Sequence, residues 1–171
     1  MSNKKRFQND LTNKIADFLT EIGIEIIPVK IDKETFLSGI LVENGKLLVD
    51  EGKLTFPGDL LHEAGHLAVA PAVLRDKLSD EIILPGVNLS VLESQAIAWS
   101  YAACIHLEID PRIVFHKGGY KGHSESLLFN FRLGVYIGLK GLEEAEMGFS
   151  EKRAIELGRA AYPKMRKWLR D

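Results

Sequence analysis

Apolar residues recur at Leu11, Ile15, Phe18, Leu19 and Ile22, the three- and four-residue spacing of one helix face, and the pattern stops at Gly23. A helix over about Phe7–Ile22 is the prediction. Three short apolar runs follow, IEIIPV, TFLSGILV and KLLVD, and each reads as a strand. Glu43-Asn44-Gly45 joins the last two. Asn-Gly favours the left-handed backbone of a two-residue hairpin turn, so a small antiparallel sheet is expected.

After Asp50 the pattern changes. Pro57 and Gly58 end the strand character, and DLLHEAGHLAVA reads as a helix. Residues 71–87 form a connection punctuated by Pro71, Pro85 and Gly86. A second long helix is expected from about Val91 to Leu107. A glycine-rich loop then runs from His116 to His123. The remainder reads as short helices, closing on a basic amphipathic stretch, Tyr162 to Arg170, expected to be a solvated helix face. Strands gathered early and helices afterwards give an α+β arrangement in one domain over residues 1–171.

Composition narrows the functional classes. Hydrophobic residues make up 46% and charged residues 27%, as in ordinary globular chains. A net charge of -2 lacks the strongly basic face of a nucleic-acid binder. No run reaches the roughly 18 apolar residues of a membrane-crossing helix. The opening MSNKKRFQND has no apolar stretch behind its basic residues, which argues against a secretory signal. Cys104 is the single cysteine, so no internal disulfide can form. The expectation is a cytoplasmic protein with neither nucleic acid nor membrane as partner.

His62-Glu63-Ala64-Gly65-His66 carries the chemistry. Residues four apart lie one turn apart on a helix, so both imidazoles can reach one ion. Glu63 points to the side, where it can reach a water without binding the ion itself. Zinc lowers the pKa of such a water and polarises a substrate carbonyl, while the glutamate accepts the proton. The helix is otherwise apolar nearly all round, at Leu60, Leu61, Ala64, Leu67, Ala68, Val69 and Ala70, and so is expected to be buried. Buried histidines and carboxylates must be paired or ligating. Gly65 costs about 1 kcal/mol against alanine in a helix, which suggests that another group packs against it. The bland reading is a pair of structural histidines in a core helix.

A catalytic zinc site needs three protein ligands and an open position. The long zincin pattern would place glycine at 69 and histidine at 72, where this chain has Val69 and Ala72. The third ligand must come from farther away. Glu93 shares a helix face with the small or apolar Ala96, Ile97 and Ser100, and a buried-face carboxylate needs a partner. Ser90-Val91-Leu92-Glu93 also matches a capping box, with Ser90 as N-cap. His106 is a rival, but it lies about 20 Å further along a straight helix and could only replace Glu93. His116 and His123 are further rivals.

HExxH on one helix followed by a glutamate on the next resembles the gluzincin zinc metallopeptidases. Glu93-x-x-Ala96-x-x-Trp99 resembles the matching stretch of the ImmA/IrrE-type metallopeptidases, soluble bacterial proteins. The resemblance covers about residues 57–103. It implies His62, His66 and Glu93 as ligands, Glu63 as base, Zn2+ as cofactor and a zincin-like fold with a small sheet beside the motif helix. Many gluzincins carry an aspartate one turn after the third ligand to orient a ligand histidine. Ile97 stands there, so the orienting group must come from elsewhere, with Asp59 a possibility.

Peptide hydrolysis also needs an oxyanion donor. His116, Tyr120 and His123 on the glycine-rich loop and Tyr101 on the second helix are the candidates; the plain alternative is a mobile surface loop. The strand near Leu47–Asp50 could hold an extended peptide along its edge. The expectation is a zinc-dependent hydrolase, a peptidase acting on a peptide or protein substrate. The alternatives are a binding or regulatory module that keeps the metal without protease activity of its own, and a metal-free protein in which the motif is accidental.

Overall fold

Helix α1, Asp10–Glu21, begins where the Asn9 side chain accepts a hydrogen bond from the Thr12 amide at 3.1 Å. It buries Ile15, Ala16, Phe18 and Leu19, the face its spacing predicts. A computed structural model of the chain describes residues 6–80 and 88–171. Strands β1 (Ile26–Pro28), β2 (Ile40–Glu43) and β3 (Lys46–Val49) follow. Asn44 and Gly45 take φ values of 50° and 73° and turn β2 directly onto β3. Ile40 pairs with Val49 and Val42 with Leu47, all four on the buried face.

The sheet is mixed rather than purely antiparallel. Its order is β1-β3-β2, and β1 runs parallel to β3 with Ile26 opposite Leu47. The cause is the segment 29–39, which crosses to the far side of β3 before β2 begins. The buried Asp50, just past β3, pins that crossing: its carboxylate accepts from the Ile31 and Gly52 amides, each at 3.1 Å, and pairs with Lys30. β3 is therefore the central strand. The Leu47–Asp50 run has neighbours on both sides and offers no free edge to a peptide.

The helical part comprises α2 (Asp59–Val69), α3 (Ala72–Arg75), α4 (Leu89–His106), α5 (Ser124–Arg132), α6 (Leu139–Glu144) and α7 (Glu151–Leu157). Short 3-10 turns lie at Pro111–Ile113 and Tyr120–Gly122. The predicted 71–87 connection contains α3; Pro85 and Gly86 lie outside the described residues. The arrangement is α+β, as expected. Among the described residues no helix is long and apolar enough to cross a membrane.

Helices α2 and α4 cross closely. A Cβ on Gly65 would sit 2.9 Å from the Ala96 carbonyl oxygen and 3.2 Å from the Ser100 hydroxyl. Ser100 Oγ reaches the Ala96 carbonyl of its own helix at 2.6 Å and the Leu61 carbonyl of α2 at 3.1 Å, and the second places a polar contact across the crossing. Leu60, Leu61, Ala64, Leu67 and Ala68 of α2 are all buried, as are Ala96, Ala98, Trp99, Ala102 and Ala103 of α4.

The C-terminal stretch is not a solvated helix. Residues 162–170 form no helix and wrap back over the core as a strap. Pro163 lacks the amide a helix would use, and the strap spends its polar groups on α2 and α4 instead. Tyr162 donates its hydroxyl to the Ala98 carbonyl at 2.8 Å, Trp99 donates its indole N–H to the Trp168 carbonyl at 2.9 Å, and the Arg170 amide donates to the Ala68 carbonyl at 2.9 Å. Arg75 ties the Leu67 carbonyl to the Arg170 carbonyl.

Gly65→Ala tests the helix crossing. Propensity alone favours alanine by about 1 kcal/mol, but a methyl 2.9 Å from a backbone oxygen forces the helices apart. Overpacking of this kind costs about 1–3 kcal/mol. Urea unfolding should show a net loss of stability; a variant as stable as the parent would mean that the crossing is loose.

Candidate metal centre

The register of the α2–α4 crossing sets the site. Leu61 meets Ser100 and Gly65 meets Ala96, so their neighbours His62 and His66 on α2 and Glu93, one turn before Ala96 on α4, come together at the mouth of the crossing. The two Nε2 atoms stand 3.2 Å apart, with the rings edge to face at 85°. Glu93 Oε2 lies 3.1 Å from His66 Nε2 and Oε1 lies 3.7 Å from His62 Nε2. Ligand atoms of His62, Glu63 and His66 also lie within 4.8 Å of one another. Two imidazoles and two carboxylates are thus gathered in one cluster.

The capping-box reading of Glu93 does not hold. Asn88, not Ser90, is the N-cap of α4, and its side chain accepts from the Ser90 and Val91 amides at 3.1 and 3.3 Å. The helix starts earlier than about Val91, which moves Glu93 beyond the capping position and leaves its carboxylate for the histidines.

Burial governs the charges here. It pushes Glu63 up to about 7, against the nearby His66, with Asp80, Glu93 and Asp59 adding to the rise. Burial and the neighbouring His66 push His62 down to about 4. For His66 burial opposes protonation, but the hydrogen bond to Glu93 and the carboxylates of Glu63 and Glu93 outweigh it and raise its pKa. The same hydrogen bond lowers Glu93. Burial thus favours the neutral form of His62, and a metal would have to displace the proton that Glu93 favours on His66.

The segment after α4 closes one side. Gly58, at the start of α2, lets the backbone approach: a Cβ there would sit 2.1 Å from the Ile113 carbonyl oxygen. The chain then runs through the buried Val114 and Phe115 to His116. His116 donates from Nε2 to Asp59 Oδ1 at 2.8 Å, stacks on Phe56 at 3.8 Å, and leaves Nδ1 buried without a partner. Asp59 therefore pairs with His116 and not with His62 or His66. The group that reaches Nδ1 of His62 is Tyr120, whose hydroxyl lies 3.1 Å away.

The remaining candidates lie elsewhere. His106 is exposed and packs its ring against Phe18 and Trp168. The Tyr101 ring sits among Phe115, Phe131, Tyr136 and Tyr162. His123 is exposed at the start of α5. The sequence carried no signal for the Asp59–His116 pair, because 57 residues separate its members.

No family model, curated protein or solved structure matches this chain.

A carboxyl whose folded pKa is raised stabilises the fold through its neutral form. That contribution is full below the ordinary 4.5 and is lost as pH rises through about 7. In the metal-free protein, Glu63→Gln keeps the neutral shape and removes the titration. The parent should lose up to about 3 kcal/mol relative to the variant between these pH values, measured by chemical unfolding at several pH values. Parallel pH profiles would mean that Glu63 is not held in a dry site.

Proposed function

We propose that the chain is a zinc-dependent hydrolase, a peptidase of zincin-like fold, in which His62, His66 and Glu93 hold the ion and Glu63 is the general base. Its substrate is a peptide or protein, and its expected setting is the cytoplasm. The observation that carries the reading is the triangle of two imidazoles and one carboxylate: the Nε2 atoms are 3.2 Å apart, and Glu93 Oε2 and Oε1 lie 3.1 Å from His66 and 3.7 Å from His62. Zn–N bonds of 2.0–2.1 Å at tetrahedral angles require donors about 3.4 Å apart, so the donor set fits the ion. Its chemistry, two histidines and a carboxylate, is that of catalytic rather than structural zinc.

When bound, zinc supplies Lewis acidity: it acidifies a water and polarises a carbonyl. The protein's own residues do the rest. Glu63 has a carboxylate oxygen within 4.8 Å of the histidine ligand atoms, close enough to serve a water held between them. In that place it can take a proton from the attacking water and return it to the leaving amine. Glu93 stays ionised and acceptor-only through its pairing with His66.

A regulatory module with a closed structural site is the alternative. The Glu93 and His66 side chains are 43% and 30% exposed, so solvent reaches one side of the triangle. That exposure favours a site open to a substrate.

Glu63→Gln should retain stoichiometric zinc and lose peptide hydrolysis by several orders of magnitude; retained turnover would overturn the mechanism. Glu93→Gln should weaken zinc binding by more than about a hundredfold, beyond what loss of an outer-shell partner reaches. Elemental analysis and chelator competition measure this. Zinc binding undiminished in Glu93→Gln would transfer the third-ligand role to Glu63.

A further inference from the structure

The loop 116–123 is fastened to α2 at two points one turn apart, and the second fastening has no role in the catalytic steps above. His116 is held by Asp59 at 2.8 Å, and Tyr120 reaches His62 at 3.1 Å. Between them Ser124 Oγ donates to the His116 carbonyl at 2.7 Å and lies 3.3 Å from the Gly119 carbonyl oxygen, which closes the loop on itself. Tyr120 and Lys121 both adopt positive φ, 54° and 52°, which side-chain-bearing residues rarely do, and Gly122 follows at 82°. Backbone of this kind persists where the surroundings demand it. Here it turns the Tyr120 ring inward, stacked on Phe115 at 5.1 Å and edge to face with His62 at 86°.

We propose that Tyr120 is a positioning residue for His62, its hydroxyl accepting the Nδ1–H and so fixing the tautomer that presents Nε2 to Glu93 and His66. A neutral imidazole carries its proton on one nitrogen only, and the partner of one nitrogen decides the state of the other. The hydroxyl does the work that a carboxylate or carbonyl does at other metal-bound histidines. It does so without adding a negative charge to a cluster that already holds Glu63 and Glu93. The two-point fastening explains the Asp59–His116 pair as the anchor that sets where Tyr120 falls.

The inference rests on the zinc reading for its consequence but not for its geometry. Tyr120→Phe keeps the ring stacking and removes only the hydroxyl; His123→Ala, an exposed position on the same loop, is the control. Nitrogen-15 NMR of the metal-free full chain at neutral pH reads the His62 tautomer directly. The parent and His123→Ala should show the proton on Nδ1, and Tyr120→Phe should show a mixture. Chelator competition should show zinc binding weakened about ten- to a hundredfold in Tyr120→Phe and unchanged in His123→Ala. An unchanged tautomer in Tyr120→Phe, or unchanged zinc affinity in a parent that binds zinc, overturns the proposal. If the parent binds no zinc, the metal reading falls and the tautomer alone decides whether Tyr120 positions His62.

Discussion

Everything at the site depends on how closely α2 and α4 approach at Gly65. The absent side chain brings the Ala96 carbonyl to a distance that any Cβ would contest, and Ser100 spans the same crossing to Leu61. This contact fixes both the separation and the register of the helices. The motif histidines then stand beside Glu93 rather than a turn above or below it. The sheet, α1 and the C-terminal strap act on the same contact from outside, burying Leu60, Leu61 and Trp99 completely. The glycine's propensity cost, about 1 kcal/mol, is the local price of a site that needs two helices at close range.

Charge follows from that packing. Four ionisable side chains are gathered where burial disfavours the charged form of each. Glu63 and His62 shift toward neutrality, while His66 and Glu93 pair so that His66 favours its proton and Glu93 its charge. On the proposed metal reading, a divalent cation would take the place of the His66 proton and pair with the carboxylates.

The motif helix was legible in the sequence, because its spacing and its all-round apolar character are local properties. So was the close approach at Gly65, since a glycine inside a helix asks for an explanation. The hairpin at Asn44-Gly45 was legible for the same reason. What escaped was set at long range. The parallel pairing of β1 depends on Asp50 capturing Ile31 across the end of β3. The start of α4 depends on Asn88 outcompeting Ser90 as cap. The strap at Tyr162–Arg170 looks amphipathic in sequence, but its polar groups serve helices about 60 to 100 positions away. Asp59 was offered as the group that orients a ligand histidine, but its partner is His116, which could not be assigned without the approach of Ile113 to Gly58.

The most direct test of the central claim is anomalous diffraction at the zinc absorption edge from crystals of the full chain grown with zinc. One peak should appear between His62 Nε2, His66 Nε2 and the Glu93 carboxylate, with a position left open toward solvent and the Glu63 carboxylate outside bonding distance. A peak elsewhere, a site closed by four protein ligands, or no peak beside the histidines would contradict the account.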